Sequence, residues 1–455
     1  MLNLSGLDAC HKIFGIAPEA ARCPRCGTWS PRNEIRSRFF WEAHLHRPTV
    51  IELQCGCYLC PRCEKGQQWF MLVPADFQTR RQYAVPAQRM LVDLVRKYKM
   101  SIEGAAAVGR EVLHLKKLDA TTVLGWLREE GEAVDLLAYT QAAVEAFSGQ
   151  MALDEVYDGE WYLLKATDPL NGIELASHLE KGSPSEDDIR QFLMKLKDAG
   201  FEPKLVSTDG SSLYPEVIAK VWPNAKHQRC VFHFIKQVND DLRSAFWAVY
   251  ETMPKVPKRK RGRPKKRGRP RKDTHKRENR RKVRAARYLL LKRESRDGER
   301  TRFSDKERAT LDEAIALCPA LGVLRRFVVA LHVLFGRTTD SHELAEQRRQ
   351  EMLSDAEFNV TAGLAKSMDR LRDDDLFERL TRYLDFDNAD KTSNHVEREN
   401  REFRKRQKGH YRIRSRRSLC ALLNLLTVRR PVPGQPVRLI PKACSAAEEE
   451  VREAA

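Results

Sequence analysis

Residues 205–234 set an acid, a helix and a Cys-x-x-His pair in a fixed order, and they constrain the fold more than any other part of the sequence. Asp209 follows an apolar run and precedes Gly210, which permits the sharp exit that leaves a carboxylate at a strand tip. Such a carboxylate is well placed to hold a metal. A second strand leads into Cys230 and His233. The predicted elements are a strand at 204–207, a helix at 215–221 and a strand at 226–231.

Upstream, the sequence changes at Gln150 to three strand-like runs followed by a helix that Ser185 caps. Asp154 lies on the first of these strands, beside the predicted strand that carries Asp209. Three neighbouring acids remain alternatives to Asp154 as the acidic residue of this block: Glu155, Asp158 and Asp168. The predicted elements are strands at 151–157, 160–168 and 172–180 and a helix at 185–200.

A third acidic block begins after residue 390. Ser393 or Asn394 can cap a helix there, which places Glu397 in the first turn. Glu399 and Glu402 are rivals, but their helical spacing points them away from the face of Glu397.

Together, three blocks resemble the DDE transposases with an RNase H-like core, especially the Mutator-like and related prokaryotic insertion-sequence enzymes. The matching letters are Thr208-Asp209-Gly210, Gln228-Arg229-Cys230-x-x-His233 and Asn394-x-x-Glu397-x-x-Asn400-Arg401. The resemblance implies an α/β RNase H-like catalytic core, with a mixed sheet flanked by helices and a large α-helical insertion. It also implies that Asp154, Asp209 and Glu397 are catalytic and bind Mg²⁺ or Mn²⁺.

The implied activity is that of an insertion-sequence DNA transposase, which binds terminal inverted repeats and catalyses metal-dependent DNA cleavage and strand transfer. Two alternatives stay open: a domesticated, catalytically inactive DNA-binding protein, and an RNase H-like nuclease without strand transfer. Cys230 and His233 are characteristic of the resembled group. We assign them a structural role near Asp209, because two residues cannot close a zinc site.

Near the N-terminus, two Cys-Pro-Arg-Cys knuckles flank a probable hairpin and predict a zinc ribbon over residues 1–70. The expected ligands are Cys23, Cys26, Cys60 and Cys63. Cys55, Cys57, His44 and His46 stay open as alternative ligands. Loss of the metal is expected to unfold this domain, because it has little apolar core.

Residues 86–148 read as a small helical domain that resembles a helix-turn-helix. Ser101 and Asp119 can cap its second and third helices, and the third carries Thr121, Thr122 and Arg128 as polar residues for a major groove. A small three-helix packing unit would give the same pattern.

Basic charge is concentrated in one stretch of the chain. The formal net charge is +19, and residues 258–284 hold seventeen Lys and Arg against two acids, which favours a dedicated polyanion contact. Two Gly-Arg-Pro repeats within 251–283 resemble AT-hooks, and a solvated linker with nonspecific phosphate affinity is the alternative. The arginines expected to contact DNA there are Arg261, Arg263, Arg267 and Arg269.

The remaining boundaries follow from these blocks. The core begins at 150–250, a helical insertion fills 284–390, the last catalytic helix and a core helix lie at 391–430, and 431–455 is a tail. Insertion helices are predicted at 282–293, 304–317, 321–335, 341–353 and 359–382. Four residues are expected to line the DNA phosphate backbone: Arg401, Arg404, Lys405 and Arg406.

The expected partner is double-stranded DNA, both transposon ends and target, bound by a homodimer or higher oligomer because two ends must be held. The chain contains no run of 18 uninterrupted apolar residues and no signal-peptide layout at its start. We therefore expect a cytoplasmic, nucleoid-associated prokaryotic protein.

Overall fold

A computed structural model describes residues 10–77, 82–255, 274–293, 303–409, 413–429 and 432 of the 455. Two large hydrophobic cores lie within these residues. One joins the N-terminal helices to a mixed sheet, and the other belongs to the helical insertion.

The N-terminal sheet is a long hairpin with three shorter strands added to it. The hairpin strands β3 and β4 pair antiparallel, β1 adds to β4 in parallel, and β2 and β5 pair with β3 and β4. Both knuckles lie at the same end of the hairpin, one before β3 and one after β4. The strands are β1 (Cys10–Ile16), β2 (Ala20–Arg22), β3 (Trp29–Glu42), β4 (Thr49–Leu59) and β5 (Trp69–Met71).

Four helices follow, and their predicted caps are present. The side chain of Ser101 accepts a hydrogen bond from Gly104 N, and that of Asp119 accepts one from Thr122 N. These helices share one continuous core with the second sheet, so they do not form a hydrophobic unit of their own. They are α1 (Val85–Arg96), α2 (Ile102–Glu111), α3 (Ala120–Glu132) and α4 (Leu136–Glu145).

The second sheet is mixed and has the strand order β10-β9-β6-β7-β8. Strands β6, β7 and β8 form an antiparallel meander, while β9 is parallel to β6 and β10 is parallel to β9. Its elements lie close to the predicted positions. They are β6 (Gln150–Asp158), β7 (Trp161–Asp168), β8 (Ile173–Lys181), α5 (Glu186–Asp198), β9 (Leu205–Thr208), α6 (Tyr214–Val221) and β10 (Lys226–Arg229).

Beyond β10, helix α7 leaves the sheet and joins the core of the insertion. The amide of Gln228 on β10 fastens the far end of the insertion to the sheet, because it donates to Leu380 O at 3.1 Å and accepts from Tyr383 N at 2.8 Å. The helices are α7 (Val231–Thr252), α8 (Thr274–Ala285), α9 (Asp305–Leu317), α10 (Ala320–Leu334), α11 (His342–Ser354), α12 (Ala356–Val360), α13 (Ala365–Arg372) and α14 (Asp374–Thr381).

Two helix predictions in the insertion are wrong. The helix expected at 359–382 is broken into shorter pieces, because Asp355 and Asp373 each cap a new helix with their side chains. The helix expected at 282–293 instead starts at Thr274 and gives way to a 3-10 turn after Ala285.

The last two helices, α15 (Asn394–Gly409) and α16 (Arg416–Thr427), return to the mixed sheet. Helix α16 lies between α3 and β8. A Cβ on Gly131 of α3 would lie 2.3 Å from Ala421 O of α16, so the close helix contact requires glycine there. Below α16, Lys165 and Glu174 form a fully buried ion pair of 2.7 Å, and Thr427 also donates to Glu174.

Candidate active site

The first predicted acid lies on β6, and the second directly follows the neighbouring parallel strand β9. The register of the two strands pairs Ala152 with Ser207, and Asp154 and Asp209 each lie two residues further along the chain. The chain turns away at Gly210, whose φ of +103° and contact with Arg229 leave no room for a side chain. The sharp exit expected after the strand is therefore present.

Asp154 is the most deeply buried of the three predicted acids, with 9% of its surface exposed. Burial and, to a smaller extent, the negative charges of Asp209, Glu155 and Glu397 raise the pKa of its carboxyl, and the net result is a pKa of about 7. The amide of Asn400 opposes this shift by donating a hydrogen bond of 2.6 Å to Asp154. Asn400 thus connects the last predicted block to the first.

Glu397 stands in the first turn of α15, as expected. Cys230 sets the start of this helix, because its sulfur accepts a hydrogen bond of 3.2 Å from Ser393 N. The neighbouring Val231 N donates to Lys391 O at 3.0 Å. Cys230, at the end of the second block, therefore holds in place the segment just before α15, the helix that carries Glu397 of the third block.

His233 completes the link between these blocks, since its Nε2 lies 3.4 Å from Glu397 Oε1. Interaction with the Cys230 thiol raises the pKa of His233, burial opposes this, and the negative charges of Glu397 and Asp209 add to the rise. A protonated His233 would balance part of the negative charge at this site. Sequence reasoning placed His233 near Asp209 but missed its contact with Glu397, which depends on the path of the chain after the insertion.

The alternative acids have other contacts. Asp168 is fully buried and accepts hydrogen bonds from Ser148 and from the backbone of the following turn, so it caps a turn. Glu155 accepts a hydrogen bond from Tyr214 OH on α6, whereas Asp154 faces Asn400 on α15. The side chain of Asp158 lies outside what the structure describes.

On α15, Glu399 pairs with Arg429, and Glu402 pairs with Lys99 and Arg406. Glu399 and Glu402 therefore lie on different faces of α15 from Glu397, as the helical spacing predicts.

The three carboxylates form an oxygen-rich set that fits divalent cations. Glu397 Oε1 has no hydrogen-bond partner, and the repulsion among Asp154, Asp209 and Glu397 would be relieved by positive charge. In the described part of the chain, however, the four knuckle cysteines are the only group of three or more acidic, His or Cys ligands whose atoms all lie within 4.8 Å of one another. The ligand atoms of Asp154, Asp209 and Glu397 therefore do not all lie within 4.8 Å of one another, as the four cysteine sulfurs do.

The cysteine group has the geometry of a tetrahedral metal site. The Sγ atoms of Cys23 and Cys63 are 3.7 Å apart, and those of Cys26 and Cys60 are 3.5 Å apart. Four thiolates at about 2.3 Å from one Zn²⁺ would be about 3.8 Å apart, so the four sulfurs fit the ion that the sequence predicted.

The alternative zinc ligands do not join this group. Cys55 and Cys57 are buried in β4, Cys55 against Phe40, and burial raises the pKa of both thiols. The rings of His44 and His46 contact each other edge to face at the far end of the hairpin. Those two cysteines therefore pack in the strand.

The predicted DNA contacts on α15 divide into two groups. Arg401, Arg404 and Lys405 are exposed. Arg406 is only 4% exposed and donates to Arg96 O and to Glu402. We therefore withdraw Arg406 as a phosphate contact, because its guanidinium supports the packing of α15 on α1.

The polar helix α3 also has a structural contact. Its Arg128 donates to Ser418 of α16 at 2.9 Å, while Thr121 is exposed and Thr122 partly exposed. The four arginines of the Gly-Arg-Pro repeats, Arg261, Arg263, Arg267 and Arg269, lie outside the described residues.

The described helices and the comparisons with known proteins give three further findings. No helix in the described ranges is long and apolar enough to cross a membrane. A family model of DDE transposases of the ISL3 type, with the description transposase, matches residues 178–411, which is 234 of the 455 residues. The match includes Asp209, Cys230, His233 and Glu397 and begins after Asp154. No curated protein matches the chain.

Proposed function

Because the chain belongs to the ISL3-type family of DDE transposases, we propose that it is the DNA transposase of an insertion sequence, which binds the terminal inverted repeats of its element and catalyses metal-dependent cleavage and strand transfer. The observation that supports this proposal is that Asn400, one helical turn after Glu397, donates to Asp154 on β6, whose parallel neighbour β9 leads directly into Asp209.

The strand order supports an RNase H-like catalytic core. An antiparallel meander of three strands, with two further parallel strands added beside its first strand, is the arrangement that the resemblance implies. The first and second acids fall on the first and fourth strands of that arrangement. The third arrives on a helix after a long insertion, which has a hydrophobic core of its own.

In the proposed site, Asp154, Asp209 and Glu397 would hold two Mg²⁺ or Mn²⁺ ions. Ions of this kind supply activation of the attacking oxygen and stabilisation of the leaving oxygen. Asn400 orients the Asp154 carboxylate, and His233 orients that of Glu397. Arg401, Arg404 and Lys405 lie exposed on the same helix and position the phosphate backbone.

The reaction uses no nucleophilic side chain. Water attacks the phosphodiester at an end of the element and frees a 3′-OH, and this hydroxyl then attacks a phosphodiester of the target DNA. Each step exchanges one P–O bond for another, so no oxidant or reductant is required. Because two ends must be held together, the active form is a dimer or larger assembly.

DNA recognition is assigned to parts outside the catalytic site. The zinc ribbon over Cys23 to Cys63, the helices α1 to α4 and the basic stretch at 256–273 would hold the terminal repeats. Thr121 on α3 is exposed, whereas Arg128 donates a hydrogen bond to Ser418 of α16.

A strand-transfer reaction tests the proposal. The purified protein is incubated with DNA that carries the ends of its element, a target plasmid and Mg²⁺ or Mn²⁺, and joined products are measured. Asp154→Asn, Asp209→Asn and Glu397→Gln should each abolish cleavage and joining while leaving binding to the ends intact. Glu216→Gln, which changes an acid whose side chain is 78% exposed on α6, should retain activity.

Two results would favour the alternative functions. End binding by the wild-type protein without cleavage in either metal would indicate a DNA-binding protein derived from a transposase. Cleavage that needs the three acids but yields no joined product would indicate a nuclease.

A further inference from the structure

We propose that a pocket in the helical insertion binds an unpaired base of DNA. The cavity has a volume of about 320 Å³ and opens between α7, α10 and the turn that follows α8. Buried apolar side chains of the insertion core line its floor, and aromatic and basic side chains line its rim. The lining includes Leu242, Leu290, Val328, Trp247, Tyr288 and Arg287.

Two aromatic rings at the rim are largely exposed. Trp247 has 40% and Tyr288 has 66% of its surface in solvent. Large rings left in water beside an apolar cavity offer flat faces on which a base can stack, and such stacking tolerates any base because every base has a π-face. The pocket is therefore suited to a flat, aromatic ligand.

The arginines at this rim select an anionic ligand. The guanidinium of the rim residue Arg287 lies 4.3 Å from the ring centroid of Tyr288, and Arg284, outside the pocket lining, lies 5.9 Å from the ring of Trp247. Neither arginine has an acidic partner among the residues that the structure describes. The other rim arginine, Arg243, pairs with Asp240. Aromatic faces interleaved with arginines match a nucleotide better than an apolar peptide.

The position of the pocket in the chain gives a second reason for DNA. Helices α7 and α8 are joined by the basic stretch, in which residues 258–272 hold eleven Lys and Arg and no acid. The pocket is built from these same two segments, Leu242 to Trp247 before the stretch and Arg287 to Leu291 after it. DNA phosphates attracted to the basic stretch are thereby brought close to the aromatic rim.

The size of the cavity limits the ligand to a base outside a duplex. About 320 Å³ lies at the small end of ligand pockets. Paired and stacked bases present only their edges, so a base must leave the helix to place its face on Trp247 or Tyr288. Unpaired bases arise at cut or distorted DNA ends, and in this respect the inference rests on the proposed function.

Binding of single-stranded DNA tests the inference. Full-length protein with Asp209→Asn, which prevents cleavage, is titrated without added Mg²⁺ into a labelled single-stranded oligonucleotide and into a duplex of the same sequence. Fluorescence anisotropy is recorded at several salt concentrations. Trp247→Ala and Tyr288→Ala should each weaken single-strand binding about tenfold and change duplex binding by less than about twofold. Trp247→Phe should retain most of the affinity.

Salt dependence separates stacking from charge. The aromatic substitutions should leave the slope of log K against log salt unchanged, whereas Arg287→Gln should reduce it by about one. Met194→Ala is the matched control, because Met194 is a large apolar residue that is 44% exposed on α5, outside the parts assigned to DNA recognition. Equal losses on single strands and duplex, or losses no larger than that of Met194→Ala, would overturn the inference.

This inference and the proposed function can fail separately. The binding assay uses a protein that cannot cleave, so its outcome does not depend on strand transfer. If the wild-type protein joins DNA but Trp247→Ala binds single strands normally, only the pocket assignment is wrong. If single-strand binding depends on Trp247 and Tyr288 but no joining occurs, the pocket assignment holds and the transposase activity does not.

Discussion

The amide of Asn400 on α15 donates a 2.6 Å hydrogen bond to the buried carboxylate of Asp154 on β6, across 246 residues of sequence. This bond fixes the rotamer of an acid that three neighbouring carboxylates repel. It also sets the distance between α15, which carries Glu397, and the strand that carries Asp154. The two predictions that follow concern this pair.

Replacement of Asn400 by alanine should weaken metal-dependent cleavage about 10- to 100-fold, as removal of a partner that orients a metal ligand commonly does. The loss should appear mainly as a higher Mg²⁺ requirement, measured as cleavage rate against Mg²⁺ concentration. Arg398→Ala on the same helix is the control, because Arg398 is exposed and has no assigned role at the site. An unchanged Mg²⁺ requirement in Asn400→Ala would contradict a role in orienting Asp154.

Replacement of Asp154 by asparagine should stabilise the metal-free protein while abolishing cleavage. The folded protein raises the pKa of Asp154 from 3.8 to about 7, so it holds this proton more tightly than the unfolded chain does. Stability is therefore lost as the pH rises from about 4 to about 7, by up to about 4 kcal/mol. Asp154→Asn avoids this loss above pH 7.

Thermal unfolding at pH 5 and pH 8 without Mg²⁺ measures this effect. The advantage of Asp154→Asn over the wild type should be larger at pH 8. Asp187→Asn is the control, because Asp187 is exposed and hydrogen bonds with Arg190 and Gln191 lower its pKa. A variant that is equally destabilised at both pH values would show that burial of the charge is not what limits stability at this position.

Loss of one knuckle cysteine should remove zinc and unfold the N-terminal sheet. Cys60→Ser should lower bound zinc from stoichiometric to near zero, measured by elemental analysis, and should expose the hairpin to protease. Cys57→Ala should keep its zinc, because Cys57 lies in β4 outside the group of four sulfurs. Zinc loss in Cys57→Ala alone would assign the ligands differently.

The buried ion pair beneath α16 gives a prediction about stability. Lys165→Met leaves the Glu174 carboxylate buried without its cation and should destabilise the protein by about 3 to 5 kcal/mol. The double variant Lys165→Met/Glu174→Met should recover most of that loss, since Thr427 can still donate to Leu423 O.

Chemical denaturation compares these variants with Lys181→Met, which breaks an exposed pair with Glu160 and should cost less than about 1 kcal/mol. A double variant that is no more stable than Lys165→Met would mean that the packing around the pair, and not its charge, determines the loss.

Much of the mixed sheet could be predicted from the sequence because its signals are local. The strand-like runs of β6 to β8, the acid before Gly210 and the cap at Ser185 each mark an element within a few residues. Both zinc knuckles were equally local, and the four predicted cysteines are the ones that the structure brings together.

What the sequence did not reveal depends on contacts between distant segments. The spacing of α15 showed that Glu399 and Glu402 face away from Glu397, but not that Arg406 is buried against α1. The bond between Ser393 and Cys230 joins residues 163 positions apart. Helical periodicity predicts which residues of a helix are apolar, but it does not predict which other helix they contact. It therefore did not reveal the exposed rings beside the insertion pocket or the packing of α3 on α16.

The location of α16 makes closure of the larger core depend on a helix far along the chain from the first strand of the mixed sheet. This helix fills the gap between α3 and β8. A truncation before Arg416 would therefore leave the apolar walls of that gap open to water, although every strand of the sheet and all three acids would still be present.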